Sequence, residues 1–169
     1  MINPDVIISG GGIGGLTLAL TLHQIGVSCR VVEASRTMQP LGVGINIQPN
    51  AVRELYDLGF TKEDLDRIGV SAREWALLGL NGKEVYTEPR GIAAGYQWPQ
   101  YATHRGEFHM MLYNKVLERL GPDALLLGTR VTGYDRAGGK ATVHLSNKNQ
   151  TTSEQSAKVL IAADGIHSH

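Results

Sequence analysis

Residues 5–33, DVIISGGGIGGLTLALTLHQIGVSCRVVE, decide the fold of this chain. They open with a short apolar run, residues 6–8, whose length and β-branched side chains predict a buried strand. Glycines follow at G-x-G-x-x-G spacing, and then comes a helical segment that Gly26 ends. A second apolar run begins at Cys29 and stops at Glu33. The stretch therefore predicts a strand, a glycine turn, a helix, a second strand and a terminal acid.

The spacing of Gly10, Gly12 and Gly15 in this context predicts a dinucleotide site. Gly10 permits the tight turn, Gly12 lets a pyrophosphate approach the backbone, and Gly15 lets the helix pack closely. The helix start offers unpaired N–H groups and a positive dipole end to the phosphates. Glu33, at the tip of the second strand, can accept both hydroxyls of an adenosine ribose, which favours a free 2′-OH over a 2′-phosphate. Glu33 taken alone fits a solvated strand-end carboxylate better, and the glycine spacing alone is a weak signal.

Composition and charge exclude other function classes. Lys and Arg total 16 and Asp and Glu total 16, so the chain lacks the basic excess that nucleic-acid binding needs. The single cysteine, Cys29, cannot form an intramolecular disulfide and is expected to be a small buried residue. The N-terminus has no basic segment and its apolar stretch is broken by glycines, so we expect no signal peptide, no membrane span and a cytoplasmic location. Because a domain boundary rarely follows a core strand directly, the apolar run before Asp164 predicts that the chain is a piece of something longer.

The rest of the chain predicts a mixture of helices and strands. Alternating apolar residues at 43–47 indicate a short strand, although the spacing alone fits a plain connector equally well. Further helices are predicted at residues 49–58, 62–68 and 105–120, and strands at residues 74–80, 84–88, 125–127, 130–136, 140–145 and 159–162. Asn81 and Gly82 predict a hairpin turn. Residues 89–101 are predicted to be irregular and aromatic, and residues 147–155 to form a polar turn.

This element order predicts an α/β architecture. The strands that contain Val6, Cys29, Leu125 and Val159 would form a parallel central sheet. The two strands around Gly138, alone or with the start of the last strand, would form a β-meander crossover. The hairpin at residues 74–88 would begin a second sheet layer. The predicted fold class is therefore α/β with a Rossmann-like parallel sheet.

Separated motifs in this order resemble one family. The motifs are GGGIGG with Glu33, PLGVGINIQPNAVREL at residues 40–55, THRGEF at residues 103–108 and ADGIHS at residues 163–168. Together they resemble the group A FAD-dependent aromatic monooxygenases, also called aromatic hydroxylases, over residues 5–168. Within that family, MQPLGVGINIQPNAV at residues 38–52 and the pair EPRG and QYATHRGE are most similar to the phenazine hydroxylases of the pyocyanin pathway. The resemblance is specific for the family and much less specific for the substrate.

The resemblance implies a Rossmann-like FAD-binding fold of the glutathione-reductase type, FAD as the cofactor and a set of residues that bind it. The implied cofactor-binding residues are Gly10, Gly12, Gly14, Gly15, Glu33, Ala34, Val43, Gly44, Arg105, Val131 and Asp164. Val43 and Gly44 would lie along the flavin, and Arg105 would reach the ribityl and phosphate region. Val131 would contact the adenine end through its backbone, and Asp164 would take part in pyrophosphate and nicotinamide handling. A cation at a helix start is disfavoured by the helix dipole, which supports an anionic ligand near Arg105.

The resemblance implies an FAD-dependent, NAD(P)H-using monooxygenase that hydroxylates a small phenazine- or hydroxybenzoate-like aromatic with molecular oxygen. Residues 1–169 would be the N-terminal part of its FAD-binding domain, with residues 72–103 contributing to the substrate-domain sheet. The second FAD motif of the family and the C-terminal half would lie beyond residue 169, so we expect the chain alone to be inactive. An FAD oxidoreductase of the same fold without oxygen insertion, and a non-catalytic dinucleotide-binding module, are the alternatives.

The sequence identifies no catalytic residue and no metal site. His104, His109, His144 and His167 lack a spaced partner that would make any of them a general base. His167 and His169 lie two residues apart, which is poor evidence for metal binding.

Overall fold

The computed structural model describes residues 3–147 and 149–168, and these residues form twelve β-strands and four α-helices. The strands are β1 (Val6–Ser9), β2 (Cys29–Glu33), β3 (Gly44–Ile47), β4 (Gly69–Ala72), β5 (Glu74–Leu78), β6 (Glu84–Pro89), β7 (Gln100–His104), β8 (Leu125–Leu127), β9 (Thr129–Ala137), β10 (Lys140–Asn147), β11 (Thr152–Ala157) and β12 (Val159–Ala162). The helices are α1 (Ile13–Gln24), α2 (Pro49–Asp57), α3 (Lys62–Ile68) and α4 (Arg105–Leu120), with short 3-10 helices at Gly91–Ala94, Pro122–Ala124 and Gly165–His167. None of the described helices is long and apolar enough to cross a membrane.

The chain divides into two compact units. The first contains the described residues up to Gln39 and from His109 onward, and the second is Pro40–Phe108. The second unit contains residues 72–103. Their assignment to a substrate-domain sheet stays a prediction.

A four-stranded parallel sheet in the order β12-β1-β2-β8 forms the centre of the first unit, as the sequence predicts. β1 is buried over its whole length. Because side chains alternate along a strand, Ile7 and Ile8 point to opposite faces. Ile8 lies near Gly15 of α1, where a Cβ would be 3.4 Å from its Cγ2 atom. Leu16 and Leu20 are the large buried side chains of this helix.

An antiparallel meander in the order β11-β10-β9 packs on the sheet within the first unit. Val143 of β10 is buried in one apolar cluster with Ile7 and Val32. The predicted hairpin of β9 and β10 is confirmed. The predicted polar turn at residues 147–155 is wrong in its second part, because β11 pairs with β10 there. The Thr, Ser, Glu and Gln side chains of β11 form no apolar strand pattern in the sequence. Pairing with β10 and the burial of Ala157 stabilise the strand instead.

A three-stranded antiparallel sheet in the order β3-β7-β4 organises the second unit. The short strand predicted at residues 43–47 is confirmed as β3. The irregular segment predicted at residues 89–101 is confirmed at residues 95–99, but it is wrong at residues 91–94, which form a 3-10 helix, and at its end, where β7 begins at Gln100. β7 is the central strand of the sheet and buries Tyr101 and Thr103. Because both side chains carry polar groups, the sequence of β7 shows no clear alternation of apolar and polar residues. β4 was not predicted, since its residues offer little apolar alternation.

The helices of the second unit are held by identifiable polar contacts. Thr61 caps α3: its Oγ1 accepts the N–H of Asp64 at 3.2 Å, and its own N–H donates to Asp64 Oδ2 at 2.9 Å. The hydroxyl of buried Tyr101 donates to Asp66 Oδ1 at 2.8 Å. Burial and the neighbouring Asp66 carboxylate raise the pKa of Tyr101 well above its usual value. This bond fixes α3 to β7.

The β5–β6 hairpin is confirmed, although β5 ends at Leu78 and not at residue 80. Every residue of β5 is exposed, including Trp75 at 45% and Leu78 at 58%. The rings of Trp75 and Tyr86 lie 6.0 Å apart across the hairpin. The hairpin thus carries apolar side chains on its surface.

Candidate functional site

The chain turns sharply at Gly10, directly after β1. Gly10 has a φ of 108°, and its N–H donates to the carbonyl oxygen of Val32 at 2.8 Å. A Cβ at this position would lie 2.5 Å from the carbonyl oxygen of Ala163. Both the left-handed φ and the neighbouring backbone require glycine here. Gly10 therefore has the turn geometry that the sequence predicts.

Gly15 brings α1 close to this turn. A Cβ on Gly15 would overlap the carbonyl oxygen of Gly10. The glycine is therefore needed for close packing of the helix on the turn, as its position in the motif predicts.

Gly12 and Gly14 have no such structural requirement. Gly12 has a φ of −73° and a ψ of −179°, an extended conformation that any residue adopts. A Cβ on either residue would have no neighbouring protein atom within 4 Å in the described structure. Neither the turn nor the packing of the protein explains why these residues lack side chains. The bare backbone facing open space is instead what a closely approaching diphosphate requires.

The N-terminus of α1 adds an electrostatic contribution to this open space. The first N–H groups of a helix have no partner within the helix, and the dipole places positive charge at that end. Gly12 is the N-cap residue and brings no side chain to bond these groups, and the first turn contains no acidic residue. The helix start is therefore suited to an anionic group such as a phosphate.

Glu33, the last residue of β2, contacts the glycine turn directly. Its Oε2 accepts the N–H of Gly11 and its Oε1 accepts the N–H of Ser35, both at 2.7 Å. Burial alone would raise the pKa of Glu33, but the N–H groups of Ser35 and Gly11, together with nearby His109, lower it below the usual value. The ionised carboxylate has further lone pairs beyond these two bonds. Glu33 can thus hold the turn and still accept ribose hydroxyls.

His109 is a member of this site that sequence reasoning missed. Its Nε2 lies 2.7 Å from the carbonyl oxygen of Gly11, a residue 98 positions earlier. A carbonyl oxygen accepts, so the ring nitrogen donates in this bond. No spacing rule connects the two residues, and only the fold brings them together.

Asp164 lies beside the same turn. The N–H of Ala163 donates to the carbonyl oxygen of Ser9 at 2.7 Å, and a Cβ on Gly10 would come within 2.8 Å of Asp164 Cα. Asp164, the glycine turn and Glu33 thus share the carboxyl edge of the parallel sheet. This edge is where ligands bind in open α/β folds.

Ala34 and Val131 are the other two residues of the first unit that are predicted to bind the cofactor. Ala34 is half-buried and follows Glu33 immediately. Val131 lies in β9, where it packs against the apolar cluster that contains Val32. The predicted contact of its backbone with an adenine ring stays a prediction.

Val43, Gly44 and Arg105 lie together in the second unit. The N–H of Arg105 donates to the carbonyl oxygen of Val43 at 2.8 Å. Gly44 pairs with His104 across β3 and β7, and His104 Nε2 lies 3.0 Å from the carbonyl oxygen of Gly42. The segment before β3 is therefore fastened to the start of α4. The predicted roles of these three residues toward the flavin stay predictions.

Three of the histidines for which the sequence shows no partner, His104, His109 and His144, have partners in the structure. His104 and His109 bond backbone carbonyls, and on the meander His144 lies 2.9 Å from Asp135 and 3.2 Å from Glu154. No group of metal-binding side chains that could hold an ion occurs within residues 3–147 and 149–168. His169, the second histidine of the pair at the end of the chain, lies outside the described residues.

Sequence comparison connects this geometry with known proteins. The sequence model of the family described as FAD binding domain matches residues 3–169. Phenazine 1,6-dicarboxylic acid hydroxylase PhzS from Lysobacter antibioticus is 44% identical over 167 residues, which cover 97% of this chain and 41% of that protein. The chain spans about two fifths of the length of the curated relatives it matches.

Solved structures share the architecture. p-Nitrophenol 4-monooxygenase PnpA from Pseudomonas putida superimposes with a TM-score of 0.85 over 98% of this chain and 42% of that chain, at 20% identity. A Klebsiella pneumoniae HpxO variant complexed with FAD gives a TM-score of 0.74 at 26% identity, covering 97% of this chain and 40% of that chain. These findings confirm the predicted fold class, the FAD cofactor and the resemblance to FAD-dependent aromatic monooxygenases.

Proposed function

This chain belongs to the FAD binding domain family, and on that premise we propose that the full-length protein containing it is an FAD-dependent, NAD(P)H-using aromatic monooxygenase. The aromatic substrate, NAD(P)H, a proton and O₂ would give the hydroxylated aromatic, NAD(P)⁺ and water. A phenazine carboxylic acid is the first substrate class to consider, because the Lysobacter antibioticus relative is named as a phenazine hydroxylase. Hydroxybenzoate-like acids are the second. A cytoplasmic location is part of this proposal.

The proposed cofactor site rests on a single observation, the absence of a side chain at Gly12. It is a glycine that neither its own backbone dihedrals nor any neighbouring atom requires. It stands at the N-terminus of α1, where unpaired N–H groups favour an anion. A diphosphate against this backbone explains the missing side chain, whereas protein packing does not.

The residues of the first unit would then hold the adenosine half of FAD. The start of α1 and the bare backbone at Gly12 and Gly14 would bind the diphosphate, and Glu33 would accept hydroxyls of the adenosine ribose. Asp164, beside the turn, would help to orient the diphosphate. When bound, FAD supplies the electron transfer and the oxygen-insertion chemistry.

The residues of the second unit that we propose for the flavin half are Val43, Gly44 and Arg105. The carbonyl of Val43 is engaged by Arg105 N–H, and Val43 has 73% of its surface exposed. An exposed valine beside glycine offers an apolar contact for a flat ring, and Arg105 offers charge for an anionic group.

The proposal is tested by assaying the purified full-length protein for NAD(P)H oxidation with and without an aromatic. Phenazine 1,6-dicarboxylic acid and 4-hydroxybenzoate are the probes, and the products are analysed by mass spectrometry under ¹⁸O₂. The expected result is NAD(P)H oxidation that the aromatic stimulates, with one ¹⁸O atom in the product. A protein that holds FAD and oxidises NAD(P)H, but incorporates no oxygen into any aromatic, would instead be an oxidoreductase of the same fold.

A further inference from the structure

The contact between His109 and Gly11 fixes a peptide group in the middle of the glycine turn. His109 Nε2 lies 2.7 Å from the Gly11 carbonyl oxygen, and the ring is half-buried. Because Nε2 carries a proton both in one neutral tautomer and in the imidazolium, the bond persists in either charge state.

Two side chains hold the two peptide groups that flank Gly11. Glu33 accepts the N–H of Gly11, and His109 donates to its carbonyl oxygen, each at 2.7 Å. A trans peptide is planar, and its C=O and N–H point in opposite directions. The bond from His109 therefore turns the N–H of Gly12, which belongs to the same peptide group as the Gly11 carbonyl, away from the imidazole.

The backbone of the glycine turn would be unusually flexible without hydrogen bonds that restrain it. Gly10, Gly11 and Gly12 are consecutive, and glycine has more backbone freedom to lose than any other residue. A turn already held in one conformation binds its ligand at a lower entropic cost. Gly12 is also the residue whose backbone faces open space, so its N–H orientation matters for a ligand there.

We propose that His109 is a positioning residue for FAD, which holds the Gly11 carbonyl so that the Gly12 N–H is presented to the diphosphate. The inference rests on the proposed placement of the diphosphate at this turn. His109 acts through the backbone of the turn and not by touching the cofactor.

The test compares three substitutions of His109 in the full-length protein. His109→Gln keeps an N–H donor at about the position of Nε2, His109→Asn places its donor at the position of Nδ1, and His109→Leu removes the donor. His144→Leu is the matched control, because His144 bonds only meander side chains among the described contacts of its ring. The dissociation constant of FAD is measured by flavin fluorescence, and the melting temperature of each apoprotein is measured in parallel.

Loss of one hydrogen bond predicts FAD binding about three- to tenfold weaker in His109→Leu and His109→Asn. Affinity in His109→Gln is expected to return to within about twofold of the parent, and His144→Leu should bind FAD as the parent does. Parent-like affinity in His109→Leu, or an equal loss in the Gln and Leu variants, would overturn the inference. Parent-like FAD binding by Gly12→Val would overturn the proposed diphosphate site and the inference with it, so the two failures are distinguishable.

Discussion

Replacing Glu33 with alanine should weaken both the glycine turn and FAD binding, by separable amounts. Removal of the carboxylate leaves the N–H of buried Gly11 without its 2.7 Å acceptor, whereas the exposed N–H of Ser35 can bond water. An unsatisfied buried donor costs about 1–3 kcal/mol, which is the expected loss in free energy of unfolding for the apoprotein. A bond to a charged acceptor contributes about 1.5–3 kcal/mol, so loss of even one ribose contact predicts at least about tenfold weaker FAD binding.

The assay combines urea unfolding of the apoprotein with FAD titration of the folded protein. Glu118→Ala is the matched control, since Glu118 is exposed on α4 and pairs only with Lys115 among the ion pairs found in the described structure. Unchanged stability together with unchanged FAD affinity in Glu33→Ala would refute the account of this residue. A loss of stability with parent-like FAD affinity would leave Glu33 a structural residue only.

The lowered pKa of Glu33 makes its contribution to the stability of the fold depend on pH. Its pKa is lower in the folded protein than its ordinary value. A group of this kind stabilises the fold above its unfolded pKa, about 4.3, and the contribution is lost as pH falls through the folded pKa. The stability of the parent should therefore fall more steeply below about pH 4 than that of Glu33→Ala, and parallel curves would contradict the assignment.

Three further predictions concern the close contact of Gly15, the hydrogen bond of Tyr101 and the behaviour of this chain by itself. Gly15→Ala should give a destabilised protein with a lower melting temperature, because its Cβ would overlap the Gly10 carbonyl oxygen; an unchanged melting temperature would contradict this. Tyr101→Phe should lower the free energy of unfolding by about 1 kcal/mol through loss of the bond to Asp66, and in the parent one tyrosine should resist ionisation during alkaline absorbance titration until the protein unfolds. The 169-residue chain alone should bind FAD weakly and oxidise no NAD(P)H; substrate-stimulated oxidation by this chain would show that the active site is complete within it.

Local sequence pattern is sufficient to predict the segment that carries the proposed cofactor site. The apolar run of β1, the glycine spacing and the end of β2 at Glu33 lie within 29 consecutive residues, and each has a conformational signature of its own. The roles of Gly10 and Gly15 follow from the same stretch and agree with the observed close contacts. The sequence predicts a site role for Glu33 but not its bond to Gly11, because that bond depends on how the strand end meets the turn.

Features that depend on distant pairing could not be found in this way. β11 consists largely of polar residues, and its partner β10 supplies the reason for its extended conformation. The sequence does not predict β7, because the polar groups of Tyr101 and Thr103 obscure its apolar pattern, although both residues are buried in the sheet. His109 belongs to the site only because α4 brings it to Gly11. Amphipathic periodicity predicts the helix and says nothing about that contact.

The central claim, that FAD binds with its diphosphate against the glycine turn, is tested most directly by Gly12→Val in the full-length protein. The visible absorption spectrum gives the bound flavin per protein, and circular dichroism gives the melting temperature of the same sample. Gly133→Val is the matched control, since a Cβ on Gly133 makes only an ordinary contact, 3.6 Å from His144 Cδ2. The account predicts that the parent and Gly133→Val contain FAD, and that Gly12→Val is folded with little bound flavin. A Gly12→Val protein that purifies with the full FAD content of the parent would contradict the claim.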